Sequence, residues 1–135
     1  MPTLETPYSV LNEVMRDVLR RSGKSARAEI ELASFNPSIL GFVRAGQDVI
    51  YVNTVPLSQV PQSDLFEYFY VVILHEYLHL LGIADEREVR RITLEMVDEK
   101  FGENSFAHNL SLNLVDPRDA MLMQSWKLGR PHTYM

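Results

Sequence analysis

The feature that most constrains this chain is a long apolar stretch, residues 65–81, which contains two of its four histidines. The stretch is shorter than the roughly 20 residues that a helix needs to cross a bilayer. Glu67, His75, Glu76 and His79 interrupt it, and polar groups are costly to bury unless they are paired or bind something. The stretch therefore predicts a helix buried in a protein core, with a functional reason for its polar residues.

His75, Glu76 and His79 form a His-Glu-x-x-His motif. On a helix, residues four positions apart lie on one face, so both imidazoles can reach the same metal ion. Glu76 lies at the edge of that face, too close in sequence to be a third ligand but well placed to deprotonate a water molecule there. A chance match is expected in fewer than about one chain of this length in a hundred. The motif therefore predicts zinc at His75 and His79 and a catalytic role for Glu76.

Composition limits the kinds of protein, partner and metal ligand that this chain is expected to represent or use. The 135 residues suit one domain, and 46% hydrophobic with 23% charged residues is typical of a soluble globular protein. A net charge of -5 gives no basic surface for nucleic acid. Because no apolar targeting segment is found near the start, a cytoplasmic location is expected. The chain has no cysteine, so any metal must be bound by His, Asp or Glu side chains.

Periodicity elsewhere in the chain predicts an α+β fold. An amphipathic helix begins at Thr6-Pro7 and ends at Gly23. Three short segments rich in β-branched and aromatic residues follow, AEIELAS, ILGFVRA and DVIYVNTV, and they predict a small antiparallel or mixed sheet. The last two segments are expected to form a hairpin, and residues 48–55 are expected to form the edge of a binding cleft.

Two helices are predicted after the sheet. The helix that carries the motif is expected to end at Gly82. A second helix, packed antiparallel to the first, is expected to begin with Asp85 as its cap and to end at Gly102. The chain is therefore predicted to form a single zinc-site domain over residues 1–115, followed by an apolar C-terminal tail over residues 116–135.

A catalytic zinc site needs three protein ligands and an open position, and the motif supplies only two. Asp85 is one candidate for the third ligand, because it completes the spacing His-Glu-x-x-His-x-x-Gly-x-x-Asp. That spacing resembles the metzincin pattern with Asp in place of the usual His, and residues 120–123 would then form a methionine turn beneath the metal. The alternative role of Asp85 is to cap the second helix.

His108 is the other candidate for the third ligand. The segment after Gly102 is long enough for the chain to fold back beside the motif helix, whereas the alternative is an exposed loop histidine. Glutamates of the second helix are also available, but Glu86 and Arg90 have the i,i+4 spacing of a solvated, salt-bridged face. These glutamates are Glu86, Glu88, Glu95 and Glu99.

The order of helix, three strands, motif helix, second helix and tail resembles the minigluzincins over roughly residues 8–110. These are small soluble prokaryotic zinc peptidases, similar to the catalytic domains of membrane gluzincins such as HtpX and the CAAX-prenyl proteases. Only His75, Glu76 and His79 match by a specific motif. The resemblance implies zinc-dependent hydrolysis of a peptide or protein substrate. In that family the third ligand is a histidine, which carries over here to His108.

The resemblance also implies latency. Minigluzincins carry C-terminal segments that block the cleft, which gives the tail over residues 116–135 the same expected role. By analogy, exchange of that segment between two chains would form a dimer.

Two alternatives to this interpretation are open. One is a metzincin-like peptidase with Asp85 as the third ligand. The other is a zinc-stabilised binding module without turnover, in which four protein ligands close the site and the metal contributes folding energy. Glu76 favours catalysis over the binding module, because a closed site needs no general base.

Overall fold

The computed structural model describes residues 7–113. Its first element is helix α1 (Pro7–Ser22), which is amphipathic. The buried residues of α1 are Val10, Leu11, Val14 and Val18. The helix ends before Gly23, whose φ of 74° is a left-handed conformation that glycine adopts at little cost. The predicted N-terminal helix is therefore confirmed, together with the residue that ends it.

Three strands form a mixed sheet in the order β1-β3-β2. Strand β1 (Glu29–Ala33) is parallel to β3 (Val49–Asn53), and β2 (Gly41–Val43) is antiparallel to β3. The predicted hairpin is confirmed. The prediction that residues 48–55 form the edge of the cleft is wrong, because β3 lies between the other two strands.

The side chain of Asn53 fixes the connection between β1 and β2. Its Nδ2 donates to the carbonyl oxygens of Phe35, Asn36 and Ile39 over 3.1, 2.9 and 2.8 Å. Its Oδ1 accepts from the backbone N–H groups of Phe35 and Val55, and the residue is fully buried. Because buried polar groups need partners, this network holds the loop before β2 against the end of β3.

Helix α3 (Leu65–Leu80) is the centre of the fold. All residues from Tyr68 to Leu78 are buried. The helix contacts α1, β2 and β3, as well as α4 (Glu86–Phe101) and α5 (Phe106–Asn113). A helix that is apolar on every side must be covered on every side, and the predicted burial is confirmed. Among residues 7–113, no helix is both long and apolar enough to span a bilayer.

Helix α4 packs antiparallel to α3, as predicted. Two aromatic rings near the start of α3 contact Phe101 at the end of α4. The distances between ring centroids are 5.8 Å for Phe66 and 5.3 Å for Tyr70. The start of α4 lies beside His79 at the other end of α3. Gly82, with a φ of 103°, reverses the chain between the two helices. This short reversal brings the first turn of α4 to the motif.

The remaining elements complete an α+β fold, as the sequence predicted. A short helix, α2 (Thr54–Leu57), and a 3-10 turn (Gln62–Asp64) connect β3 to α3. The predicted tail, residues 116–135, lies outside the described residues. Its expected roles in latency and in dimer formation therefore stay predictions.

Candidate metal centre

Three side chains converge between the end of α3 and the start of α4. His75 and His79 occupy successive turns of α3, and their ring centroids are 5.3 Å apart. Glu86 is the first residue of α4. Its carboxylate oxygens lie 3.4 Å from His75 Nε2 and 2.8 Å from His79 Nε2. One ligand atom from each residue lies within 4.8 Å of the other two.

This donor set fits zinc. Two imidazole nitrogens and one carboxylate oxygen are a common ligand set of catalytic zinc, with bonds of about 2.0–2.2 Å and tetrahedral angles that put neighbouring donors roughly 3.3–3.5 Å apart. The 3.4 Å between His75 and Glu86 agrees with that spacing. The 2.8 Å between His79 and Glu86 is a hydrogen-bond distance. A small rotation of the carboxylate would lengthen it to the spacing of zinc ligands.

A hydrogen bond orients the His79 ring toward this group. Its Nδ1 donates to the carbonyl oxygen of Ile83 over 2.9 Å, because a carbonyl can only accept. Nδ1 therefore carries a proton, and Nε2, the nitrogen that would bind zinc, faces Glu86. A backbone carbonyl that holds the distal nitrogen is the usual support of a metal-binding histidine. Gly82, just before Ile83, makes the turn that brings this carbonyl back over the helix end.

The electrostatic environment of His79 favours a positive charge. Burial by itself would lower the pKa of His79, but the hydrogen bond to Glu86 and the charges of Glu76 and Glu86 raise it above its ordinary value. Side-chain exposure is only 7% for His79 and 15% for Glu86. Acidic surroundings that attract a proton to a buried imidazole also attract a divalent cation.

Glu76 is buried beside this group, with 6% of its surface exposed. It belongs to the same helical turn as His75 but is not part of the group of three ligands. Its side chain lies against β2, where a methyl group built on Gly41 would be 3.6 Å from Glu76 Cγ. The predicted general base therefore lies between the ligand histidines and an edge strand of the sheet.

The structure places the two predicted third ligands elsewhere. Asp85 caps α4 and accepts a hydrogen bond from the backbone N–H of Arg87 over 2.9 Å. His108 lies on α5, where its Nδ1 is 2.6 Å from Asp98 Oδ1. Asp98 follows Glu86 by twelve residues of α4, which at 1.5 Å per residue is about 18 Å along the helix. In the described part of the chain, Glu86 takes the position that was expected for His108 or Asp85.

A signal for Glu86 was present in the sequence. Its i,i+4 spacing with Arg90 favoured a solvated, salt-bridged face for most glutamates of α4. Glu88 and Glu95 fit that expectation, since both pair with Arg91 and their side chains are 44% exposed. Glu86 does not, because its side chain is only 15% exposed. Glu86 precedes Val89, Thr93 and Val97 by three, seven and eleven residues, which is the spacing of one helical face. All three of those residues are buried, so extending the inward face of α4 by one turn would have included Glu86.

Comparisons of the chain with protein-family models, with curated proteins and with solved structures gave no match. The resemblance to minigluzincins therefore rests on the motif and on the order of the elements. What supports a function is the geometry of the site itself.

Proposed function

We propose that this chain is a zinc-dependent peptidase in which His75, His79 and Glu86 hold the metal and Glu76 is the general base. The observation that carries the proposal is the convergence of three ligand atoms within 4.8 Å beside a buried glutamate. A structural zinc site is closed by four protein ligands, whereas a catalytic site has three and an open position. A group of three among residues 7–113 favours the catalytic type.

The chemistry is divided between the metal and the chain. Zinc held here would supply Lewis-acid polarisation of the scissile carbonyl and would make water more acidic. Glu76 accepts a proton from the attacking water and delivers it to the leaving amine. Since Glu76 is largely shielded from solvent, its charge acts with little screening. Glu86 and the Ile83 carbonyl keep the two imidazoles oriented.

We place the substrate along the edge of β2 that faces away from β3, instead of along β3. The backbone N–H of Asn53 donates to the Leu40 carbonyl, and Phe42 lies opposite Tyr51. Because bonded and non-bonded pairs alternate in an antiparallel ladder, Gly41 and Val43 direct their N–H and C=O groups away from β3. An extended peptide can pair with such an edge through its backbone alone, next to Glu76.

Zinc content and hydrolysis, measured together, test this function. We expect about one zinc per chain, and Glu76→Gln should retain it while peptide hydrolysis falls by about 10²–10⁴-fold. Glu88→Gln, on the exposed side of α4, is the matched control and should change neither. Hydrolysis is measured before and after removal of residues 116–135, because the resemblance implies a blocking tail.

Two results would count against the proposal. Loss of zinc from Glu76→Gln would make Glu76 a structural residue. A zinc-loaded chain that cleaves no peptide, with or without the tail, would favour the non-catalytic binding module.

A further inference from the structure

Gly41, the first residue of β2, is buried where the strand crosses α3. Its φ is not positive, so other residues could adopt its backbone conformation. Glycine is required at this position because there is no room for a side chain. A methyl group on Gly41 would lie 2.9 Å from the Tyr51 carbonyl oxygen and 3.0 Å from Val72 Cγ1. Both distances are shorter than ordinary van der Waals contact, so β2 or its neighbours would have to move.

The two crowded contacts hold β2 from different sides. The Tyr51 carbonyl belongs to the main chain of β3 and lies opposite Phe42 in the antiparallel ladder, so it cannot move without disturbing the sheet. Val72 is a buried residue of α3, one helical turn before Glu76. Gly41 therefore sets the separation between β2 and the turn of α3 that carries the general base.

We propose that Gly41 is a positioning residue for catalysis: its missing side chain lets β2 pack closely against α3, and this packing fixes where Glu76 lies relative to an extended peptide paired with the outer edge of β2. This inference rests on the proposed peptidase function and on β2 as the substrate strand. An added methyl group moves β2 relative to Glu76, and a misplacement of roughly 1 Å can lower a rate by about 10²-fold. The three atoms nearest the added methyl group belong to Tyr51, Val72 and Glu76, and none of them belongs to a metal ligand.

The test is a double-mutant cycle in the full, zinc-loaded chain, with Gly41→Ala, Val72→Ala and both changes together. For an internally quenched peptide, we expect Gly41→Ala to lower kcat by about 10–100-fold while zinc content stays at the wild-type level. The double variant should recover part of kcat, because removing Cγ1 of Val72 removes one of the two crowded contacts. Ile30→Val, which loses one buried methyl group on the opposite edge strand, is the control and should leave kcat unchanged.

Several outcomes would overturn the inference. One is an unchanged kcat in Gly41→Ala. Another is a fall in kcat that is accompanied by loss of zinc. The third is an equal fall in kcat in Ile30→Val. If Gly41→Ala does not fold, Val72→Ile adds a methyl group to the same contact from the helix side, and an unchanged kcat there would have the same meaning.

Failure of the proposed function gives a different result. In that case the zinc-loaded wild-type chain cleaves no peptide. The contact between Gly41 and Glu76 can still be measured, by a nuclear Overhauser effect between the Gly41 Hα and Glu76 Hγ protons. We expect the signal in the wild-type chain and a weaker one in Gly41→Ala. Its absence from the wild-type chain would overturn the placement of Gly41 even where hydrolysis is not observed.

Discussion

At the scale of single residues, the site depends on two neighbours, Asp85 and Glu86, that have different roles. Asp85 precedes the first turn of α4 and accepts a hydrogen bond from the Arg87 backbone. Glu86 begins the helix and turns its carboxylate toward His75 and His79. A carboxylate in the first turn of a helix is also stabilised by the helix dipole. Two adjacent residues therefore have different roles: Asp85 caps the helix, and Glu86 is a candidate metal ligand.

Replacing Glu86 tests this assignment. Glu86→Gln removes the carboxylate from the donor set, and we expect zinc affinity to fall by more than the 10–100-fold typical of losing a supporting residue around a metal. Competition with a chromophoric chelator measures the affinity. Glu88→Gln is the control, because the Glu88 side chain is 44% exposed and pairs with Arg91 over 2.6 Å.

The same assay decides between Glu86 and the ligands that the sequence favoured. Asp85→Asn and His108→Ala are expected to retain zinc at the wild-type affinity. A weaker affinity in His108→Ala, with Glu86→Gln unaffected, would restore His108 as the third ligand.

At the scale of elements, a polar cluster connects α1, α3 and α4. The hydroxyl of Tyr70 donates to Asp17 Oδ2 over 2.5 Å, and Lys100 Nζ lies 3.1 Å from the same oxygen. Lys100 also contacts Glu13 over 2.6 Å. Burial alone would raise the pKa of Asp17, but the Tyr70 hydrogen bond and Lys100 together lower it. The cluster is a polar contact that connects all three helices.

Asp17→Asn is expected to destabilise the metal-free chain at neutral pH by about 1–3 kcal/mol. Because the folded state lowers the pKa of Asp17, its charge stabilises the fold above the ordinary carboxyl pKa of about 4. That stabilisation is lost as the pH falls through the lowered value. Urea unfolding at pH 7 and at about pH 3 should therefore give a smaller difference between variant and wild type in acid. Glu31→Gln, at an exposed position of β1, is the control, and an equal effect there would contradict the prediction.

At the scale of the whole molecule, the ligand group and Glu76 all lie within residues 7–113. If residues 116–135 block the cleft, a chain truncated after Val115 should cleave peptides at least about tenfold faster than the full chain, because an intramolecular blocker has a high effective concentration. Equal zinc content and equal circular dichroism spectra are the controls. Equal rates of the two chains would mean that residues 116–135 do not block hydrolysis.

The sequence by itself determined those features that depend on local order. The apolar run from Leu65 to Leu81 implied a buried helix, the spacing of His75 and His79 put both rings on one face, and glycines marked the helix ends. Each of these follows from the 3.6-residue period or from the conformational freedom of glycine. The hairpin of β2 and β3 was also predictable, because its strands are neighbours in sequence.

Only the tertiary structure decided the features that depend on distant parts of the chain. β1 pairs in parallel with β3 rather than with its sequence neighbour, and that pairing makes β3 central and leaves β2 as the edge beside Glu76. The antiparallel packing of α4 brings Glu86 to the histidines and takes His108 to the far end of the helix pair. Spacing along a helix fixes which residues share a face, but the packing of one element against another decides which faces meet.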